Sequence, residues 1–205
     1  MSIHAFVIEV RMDKISYALG LSIANNFRAT GIETVDMDEF VRAMNDVMHG
    51  KQTAITYEEA QQVLNSFFAA LQERVKDQNK EAGKEFLKIN GMKRGVTTTE
   101  TGLQYEILVK GDGPKPKLED TVRCHYHGTL INGEVFDSSK QRGEPAEFPL
   151  KGVISGWTEV LQLMPVGSTW RVTIPSELAY GERGAGSSIG PNSTLIFDIE
   201  LQAIV

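Results

Sequence analysis

The chain has 205 residues, 41% of them hydrophobic and 23% charged, with a formal net charge of −6; it reads as an ordinary globular protein of one large domain or two small ones. Residues 1–90 hold 10 basic and 13 acidic groups and residues 91–205 hold 11 and 14, so neither half has a basic footprint for nucleic acid. One cysteine, Cys124, excludes an intramolecular disulfide, and no apolar run approaches the ~18–20 residues that insertion into a membrane needs.

The first residues, MSIHAFVIEVR, lack both a basic start and a small-residue cleavage site and do not read as a secretory signal. Residues 1–12 read as an extension, with Met12 a candidate natural start. The expected location is cytoplasmic, or periplasmic if the N-terminus has been altered.

Residues 13–90 carry helical signals. The run 14–29 places Ile15, Ala18 and Leu19 on one face and Tyr17, Leu21 and Ala24 on another, and Gly31 stops it. A helix apolar on two sides must be covered on two sides, which hints at a second chain. Asp36 with Glu39 forms a start signal for a helix with Phe40, Val41, Met44, Val47 and Met48 on one stripe, closed by Gly50. Thr56 and Glu59 make a second capping box. The helix after it lines up Ala60, Val63, Leu64, Phe67, Phe68, Leu71 and Val75, then turns polar through KDQNKEAGKE to Ile89. A helix polar nearly all round reads as a solvated bridge between domains, with Gly83 as its weak point. Asn90-Gly91 ends it, and GMKRGVTTTETG reads as a hinge.

Residues 91–205 switch to a period of two. Leu103, Tyr105 and Ile107 alternate with Gln104 and Glu106, and Val122, Cys124 and Tyr126 with Arg123, His125 and His127. Asn132-Gly133 offers two residues that accept positive φ for a tight hairpin turn. The returning arm carries Val135, Phe136 and Asp137, followed by Ser138-Ser139. A regular strand sends Phe136 and Asp137 to opposite faces, so they line one cavity only if the chain leaves the sheet there. Ser155 reads as the cap of a short helix with Trp157, Val160, Leu161 and Met164 on one face. Trp170, Val172 and Ile174, then Leu195, Phe197, Ile199 and Leu201, form strand faces. Antiparallel strands around one amphipathic helix make an α+β domain with the helix on the concave face.

The chemistry-bearing residues are sparse. His125 and His127 lie opposite Tyr126 on their strand and are two ligands short of a closed zinc site, so no metal is expected. Cys124 shares the Tyr126 face and reads as a small buried hydrophobe. GERGAGSSIG lacks the lysine of a phosphate loop and fits a surface loop bordering a pocket. What remains is an aromatic set: Tyr126, Phe136, Phe148, Trp157, Tyr180 and Phe197, with Val153 and Ile154 nearby. Taken alone, that set reads as core, since aromatic residues dominate cores.

The segment VRCHYHGTLINGEVFDSS resembles the signature hairpin of the FKBP-type peptidyl-prolyl isomerases. The likeness continues through VISGWTEVLQLMPVGSTWRVTIPSELAYGERG and PNSTLIFDIEL, from about Gly102 to the C-terminus. Residues 13–90 resemble, more loosely, the helical dimerisation region of the bacterial two-domain members. The resemblance implies a helical dimerisation domain over 13–90 with a long linking helix, and an isomerase domain over 91–205. It implies a homodimer that acts without a cofactor on proline-containing unfolded or nascent polypeptides, accelerates proline-limited folding and has chaperone activity. The macrolides FK506 and rapamycin would be inhibitors.

Matched motif by motif, the resemblance places Tyr126, Phe136, Asp137 and Tyr180 at catalytic positions. Phe148, Val153, Ile154, Trp157 and Phe197 fall at substrate-binding positions, and Arg142 at that of a partner for the aspartate. Ala146 and Ala185 replace, respectively, an aromatic and a histidine of some members, and the rim near Lys151-Gly152 is shortened. A non-catalytic peptide-binding chaperone or adaptor is the competing reading.

Overall fold

The computed structural model describes residues 13–205; the extension expected over residues 1–12 lies outside the described residues. The chain separates into two compact units, one ending at Leu71 and the other running from Gln72 to Val205.

The first unit holds α1 (Lys14–Ala29), α2 (Met37–Met48) and the start of α3 (Tyr57–Gly91). Its helix ends follow the local chemistry. The Asp13 carboxylate accepts from the Ile15 N–H, that of Asp36 from the Asp38 and Glu39 N–H groups, and the Thr56 hydroxyl from the Glu59 N–H; each satisfies amides that the first turn leaves unpaired. At the C-termini, Ile32 N–H donates to Phe27 O and Lys51 N–H to Asp46 O, the six-to-one bonds of a Schellman ending. Phe27 and Phe40 meet edge to face at 5.6 Å. Neither α1 nor α2 buries a single residue.

α3 runs 35 residues without a break, roughly 52 Å at ~1.5 Å per residue. Its polar half is not a solvated bridge. Gly83, expected to be a weak point, is the one buried residue of the helix. The Gln104 side chain donates to the Leu87 carbonyl at 2.8 Å and accepts from Asn90 Nδ2 at 2.9 Å. Hydropathy missed this docking because its contacts are amides, carbonyls and a glycine rather than an apolar stripe.

The second unit is a fully antiparallel seven-stranded sheet: β1 (Val96–Thr98), β2 (Gln104–Val109), β3 (Thr121–Leu130), β4 (Val135–Ser138), β5 (Ala146–Pro149), β6 (Thr169–Ile174) and β7 (Leu195–Ile204). The order is β1-β2-β6-β7-β3-β4, with β5 also on β3. Between them lie the one-turn α4 (Ser139–Arg142) and α5 (Ser155–Leu163). The expected hinge contains β1, whose Val96 and Thr97 pair with Glu106 and Tyr105; β-branched residues suit an edge strand.

Leu195, Phe197, Ile199 and Leu201 all face the core with Val172, Ile174, Val160 and Leu161. The Ile107 expectation does not hold: it is 48% exposed, whereas Gln104 is 5% exposed. The final turns of α3 cover Gln104 and Thr173, so alternation alone misassigns that face. Cys124 is fully buried, and burial, then the charge of Glu200, push its thiol up to about 12, leaving it inert.

The hairpin turn is one residue longer than expected. Gly133 N–H donates to Leu130 O and Leu130 N–H to Glu134 O, so Ile131, Asn132 and Gly133 form the loop. Only Gly133, at φ 88°, is left-handed, as a type I turn closed by a bulge requires.

Candidate active site

The cavity, about 670 Å³, opens on the sheet beside α5 and is lined by Tyr126, Phe136, Asp137, Phe148, Val153, Ile154, Trp157, Tyr180 and Phe197. All nine residues singled out in the sequence therefore meet. Ala185 also lines it, with Gly152 and the run Gly186 to Ile189 of the glycine-rich loop; Ala146 instead pairs with Cys124 in β5.

How Phe136 and Asp137 share a cavity is settled by the register. Gly128 pairs with Asp137, but Thr129 pairs with Val135. Phe136 is thus an extra residue, and the bulge breaks the alternation that would have sent it to the far face. The departure occurs at Phe136, not at the serines. Gly128 makes the bulge possible: a Cβ there would lie 2.7 Å from Phe136 Cζ and 2.9 Å from Phe197 Cε1. Only glycine lets both rings close over β3.

The serines hold the corner that follows. Ser139 Oγ accepts from Tyr126 N–H at 2.7 Å and lies 3.0 Å from His125 Nδ1. Ser138 Oγ accepts from Gln141 N–H at 3.3 Å, capping α4, and lies 3.0 Å from His127 Nδ1. The two histidines brace this corner and do not line the cavity. Among the described residues, no group of three His, Cys, Asp or Glu side chains could hold a metal ion.

Trp157 sits at the centre of the rings. It meets Phe197 at 5.1 Å and Tyr126 and Phe148 at 5.3 Å, all edge on, and Phe136 meets Phe197 at 5.3 Å. Edge-to-face contacts lock the rings as a preformed apolar wall. Trp157 and Phe197 are buried while Tyr126, Phe136 and Phe148 are half-buried, so the floor is closed and the walls are open to a ligand. α5 presents the tryptophan from its first turn. Its N-cap is Ile154, without a side-chain cap, and Ser155 is helical rather than the expected cap; the Ile154 carbonyl accepts from the Trp157 and Thr158 N–H groups and so closes the first turn.

A charged cluster sits at the rim. Tyr126 Oη donates to Asp137 Oδ2 at 2.5 Å, Arg142 Nη2 donates to Tyr126 Oη at 2.8 Å, and Arg142 Nη1 pairs with Asp137 Oδ1. The Arg142 guanidinium also lies over the Tyr126 ring, 5.6 Å from its centre. Burial alone would push the Asp137 carboxyl up, but the hydrogen bonds from Tyr126 and Arg142 outweigh it and hold it below its ordinary value. Burial, then the bond to Asp137, push the Tyr126 hydroxyl up. Asp137 is therefore an anion at neutral pH and Tyr126 a neutral donor. The Tyr180 hydroxyl has no partner among the described residues and stands at the cavity wall, 41% exposed.

Sequence reasoning missed Gly128, the latch role of the serines, and Ile189, which is nearly buried at the cavity edge. The first two carried signals, since a glycine inside a strand marks close approach and FDSS marked an exit. Ile189 had none.

Known proteins resemble this chain over most of its length. A family model described as FKBP-type peptidyl-prolyl cis-trans isomerase matches residues 113–202, and one described as the domain amino terminal to it matches residues 12–107. The FKBP-type 22 kDa peptidyl-prolyl cis-trans isomerase of Escherichia coli is 45% identical over 93% of this chain and 94% of that protein. The outer membrane protein MIP of Legionella longbeachae is 44% identical over 94% and 85%. The crystal structure of FkpA from Escherichia coli is 37% identical, covering 95% of this chain and 97% of that one, with a TM-score of 0.75. These relatives overturn the expected cytoplasmic location, because one this similar is named an outer membrane protein. Export is directed by a targeting segment, so the composition of the folded domains carries no address.

Proposed function

Because the chain belongs to the FKBP-type peptidyl-prolyl cis-trans isomerases, we propose that its aromatic cavity takes the proline of an X-Pro segment and lowers the barrier to rotation. That barrier, near ~20 kcal/mol, is the loss of amide resonance, and no covalent bond breaks. The planar amide is the more charge-separated form, so a dry aromatic cavity disfavours it relative to the twisted transition state.

The cavity itself carries this reading: a tryptophan floor, four aromatic walls, and polar groups confined to the rim. Trp157 lies under the pyrrolidine ring, with Tyr126, Phe136, Phe148 and Phe197 as walls and Val153 beside them. Tyr180 and the Ile154 N–H donate to substrate carbonyls. Asp137, fixed by Tyr126 and Arg142, orients rim groups and acts electrostatically without transferring a proton.

Substrates are proline-containing unfolded or nascent chains. A second copy covers the apolar helices of the first unit, and paired sites give the protein chaperone activity toward long chains. FK506 and rapamycin compete for the cavity, more weakly than in relatives with a bulkier rim, since Ala185 offers less contact. Relaxation of a cis-proline tetrapeptide, followed with and without enzyme and with each macrolide, tests the reading. Acceleration that the macrolides suppress is expected; no acceleration over the uncatalysed rate overturns it.

A further inference from the structure

The polar half of α3 grips the cavity rim through two reciprocal amide contacts. Asn79 Nδ2 donates to the Pro191 carbonyl at 2.8 Å, and Asn192 Nδ2 donates to the Lys76 carbonyl at 3.3 Å. A third contact is steric: a Cβ on Gly83 would lie 2.4 Å from Thr194 Oγ1. Residues 76, 79 and 83 fall on one helical face, so the segment from Pro191 to Thr194 is fixed at three points along it.

That segment anchors the rim. Ala185 to Ile189 line the cavity, and Ala185 and Ile189 exchange backbone hydrogen bonds at 2.9 and 3.1 Å, closing a short loop. Asn192 N–H donates to Gly181 O at 2.8 Å, immediately after Tyr180. Asn192 itself has φ 54°, left-handed for a residue with a side chain, a conformation that persists only where surrounding contacts over-determine it. One residue thus joins α3 to the Tyr180 turn, three positions along the chain from Ile189 at the end of the rim loop.

We propose that Asn79 is a positioning residue for peptide isomerisation: through Pro191 it sets where the Ala185–Ile189 rim and Tyr180 stand, and so which residues flanking proline are accepted. The proposal rests on the isomerase reading. Asn79 does not line the cavity. Its effect follows from geometry, since a displacement of about 1 Å in a positioning group changes turnover severalfold to a hundredfold.

The test compares Asn79→Ala with Gln78→Ala, an exposed neighbour on the same helix, in the full chain. Two readouts separate the proposal from its premise. Hydrogen exchange at the Ala185 and Ile189 amides, measured without substrate, should be roughly tenfold faster in Asn79→Ala and unchanged in Gln78→Ala. Turnover of proline tetrapeptides differing in the residue before proline should fall in Asn79→Ala, with the ratio between peptides changed roughly threefold. A merely structural role lowers all peptides by one factor and leaves the ratio alone. Asn192→Gly, which keeps the left-handed backbone but removes the second amide, should reproduce both effects. Unchanged exchange in Asn79→Ala overturns the clamp, and faster exchange with an unchanged ratio overturns the positioning role. Absence of turnover by the wild type instead removes the isomerase premise, while exchange still reports on the clamp.

Discussion

The two units treat apolar side chains in opposite ways. From Gln72 onward, a continuous core runs from Leu103 to Leu201, and even polar Gln104, Thr173 and Thr194 are buried with partners or packing. In the first unit no residue of α1 or α2 is buried, and Tyr17, Leu19, Val63, Leu64, Phe67 and Phe68 stand exposed. Three helices of this length offer too little mutual surface to hide two-sided stripes. Exposed apolar surface on this scale marks association, and a twofold dimer is its commonest closed form. One unit buries its apolar side chains within a single chain; the other leaves them for the second copy proposed above to cover.

Removing residues 1–71 should break this comparison most visibly. The fragment from Gln72 keeps all of the cavity and α3's grip on it, so it should be monomeric by light scattering with near-normal turnover of a tetrapeptide. Its acceleration of proline-limited refolding of a whole protein should fall roughly a hundredfold, because two linked sites no longer raise the effective concentration at the second. A fragment that still dimerises, or that serves both substrates equally, would sink the account of the first unit. Cutting instead after Gly91 removes the helix face that carries Asn79 and Gly83, and tetrapeptide turnover should then suffer as well.

Within the second unit, Phe136→Ala should remove most turnover while the domain stays folded, since a wall is lost from a preformed cavity. Gly128→Ala should do nearly the same from outside the cavity, pushing Phe136 and Phe197 apart and costing about 1–3 kcal/mol by overpacking. Chemical denaturation beside the peptide assay separates the two; wild-type turnover by both variants would remove the bulge from the mechanism.

A smaller effect is expected at Asp137→Ala, about tenfold in turnover or ~1.4 kcal/mol in the barrier. Because the Asp137 carboxyl is held below its ordinary 3.8, its contribution is present above that value and lost as pH falls through the lowered one. Wild type and Asp137→Asn should therefore differ by a constant factor down to about pH 5 and converge only in stronger acid. A difference that titrates away near neutrality would contradict the Tyr126–Asp137–Arg142 geometry.

The mildest test returns to the first unit. Asp36→Ala loses the cap on Asp38 and Glu39 and should cost about 1 kcal/mol. The loss should appear as weaker dimerisation by sedimentation rather than as lower tetrapeptide turnover.

Much of this was legible beforehand wherever a local rule sufficed. The caps at Asp36 and Thr56 and the stops at Gly31 and Gly50 mark helix ends because a first-turn amide or a last-turn carbonyl must find a partner within a few residues. The strand faces of Val172 and Ile174, and of Leu195 to Leu201, follow from a period of two against one core. Tyr126, Trp157 and Phe197 were legible as aromatic residues but not as a pocket, since a core and a cavity use the same side chains; the likeness of the FDSS hairpin to a known family drew the distinction.

Long-range contacts decided the rest. Phe136 turns inward because Gly128, eight residues earlier, leaves room for a bulge. Ile107 is exposed and Gln104 buried because the end of α3 lies over one edge of the sheet. The charged stretch after Val75 looked like a spacer because its partners are backbone carbonyls and amides more than a hundred residues away, and a carbonyl has no letter in the sequence. Periodicity in the chain by itself determined which segments are helices and strands, because those bonds close within a few residues. Only the tertiary structure decided which faces are covered, because burial depends on what a distant segment brings to them.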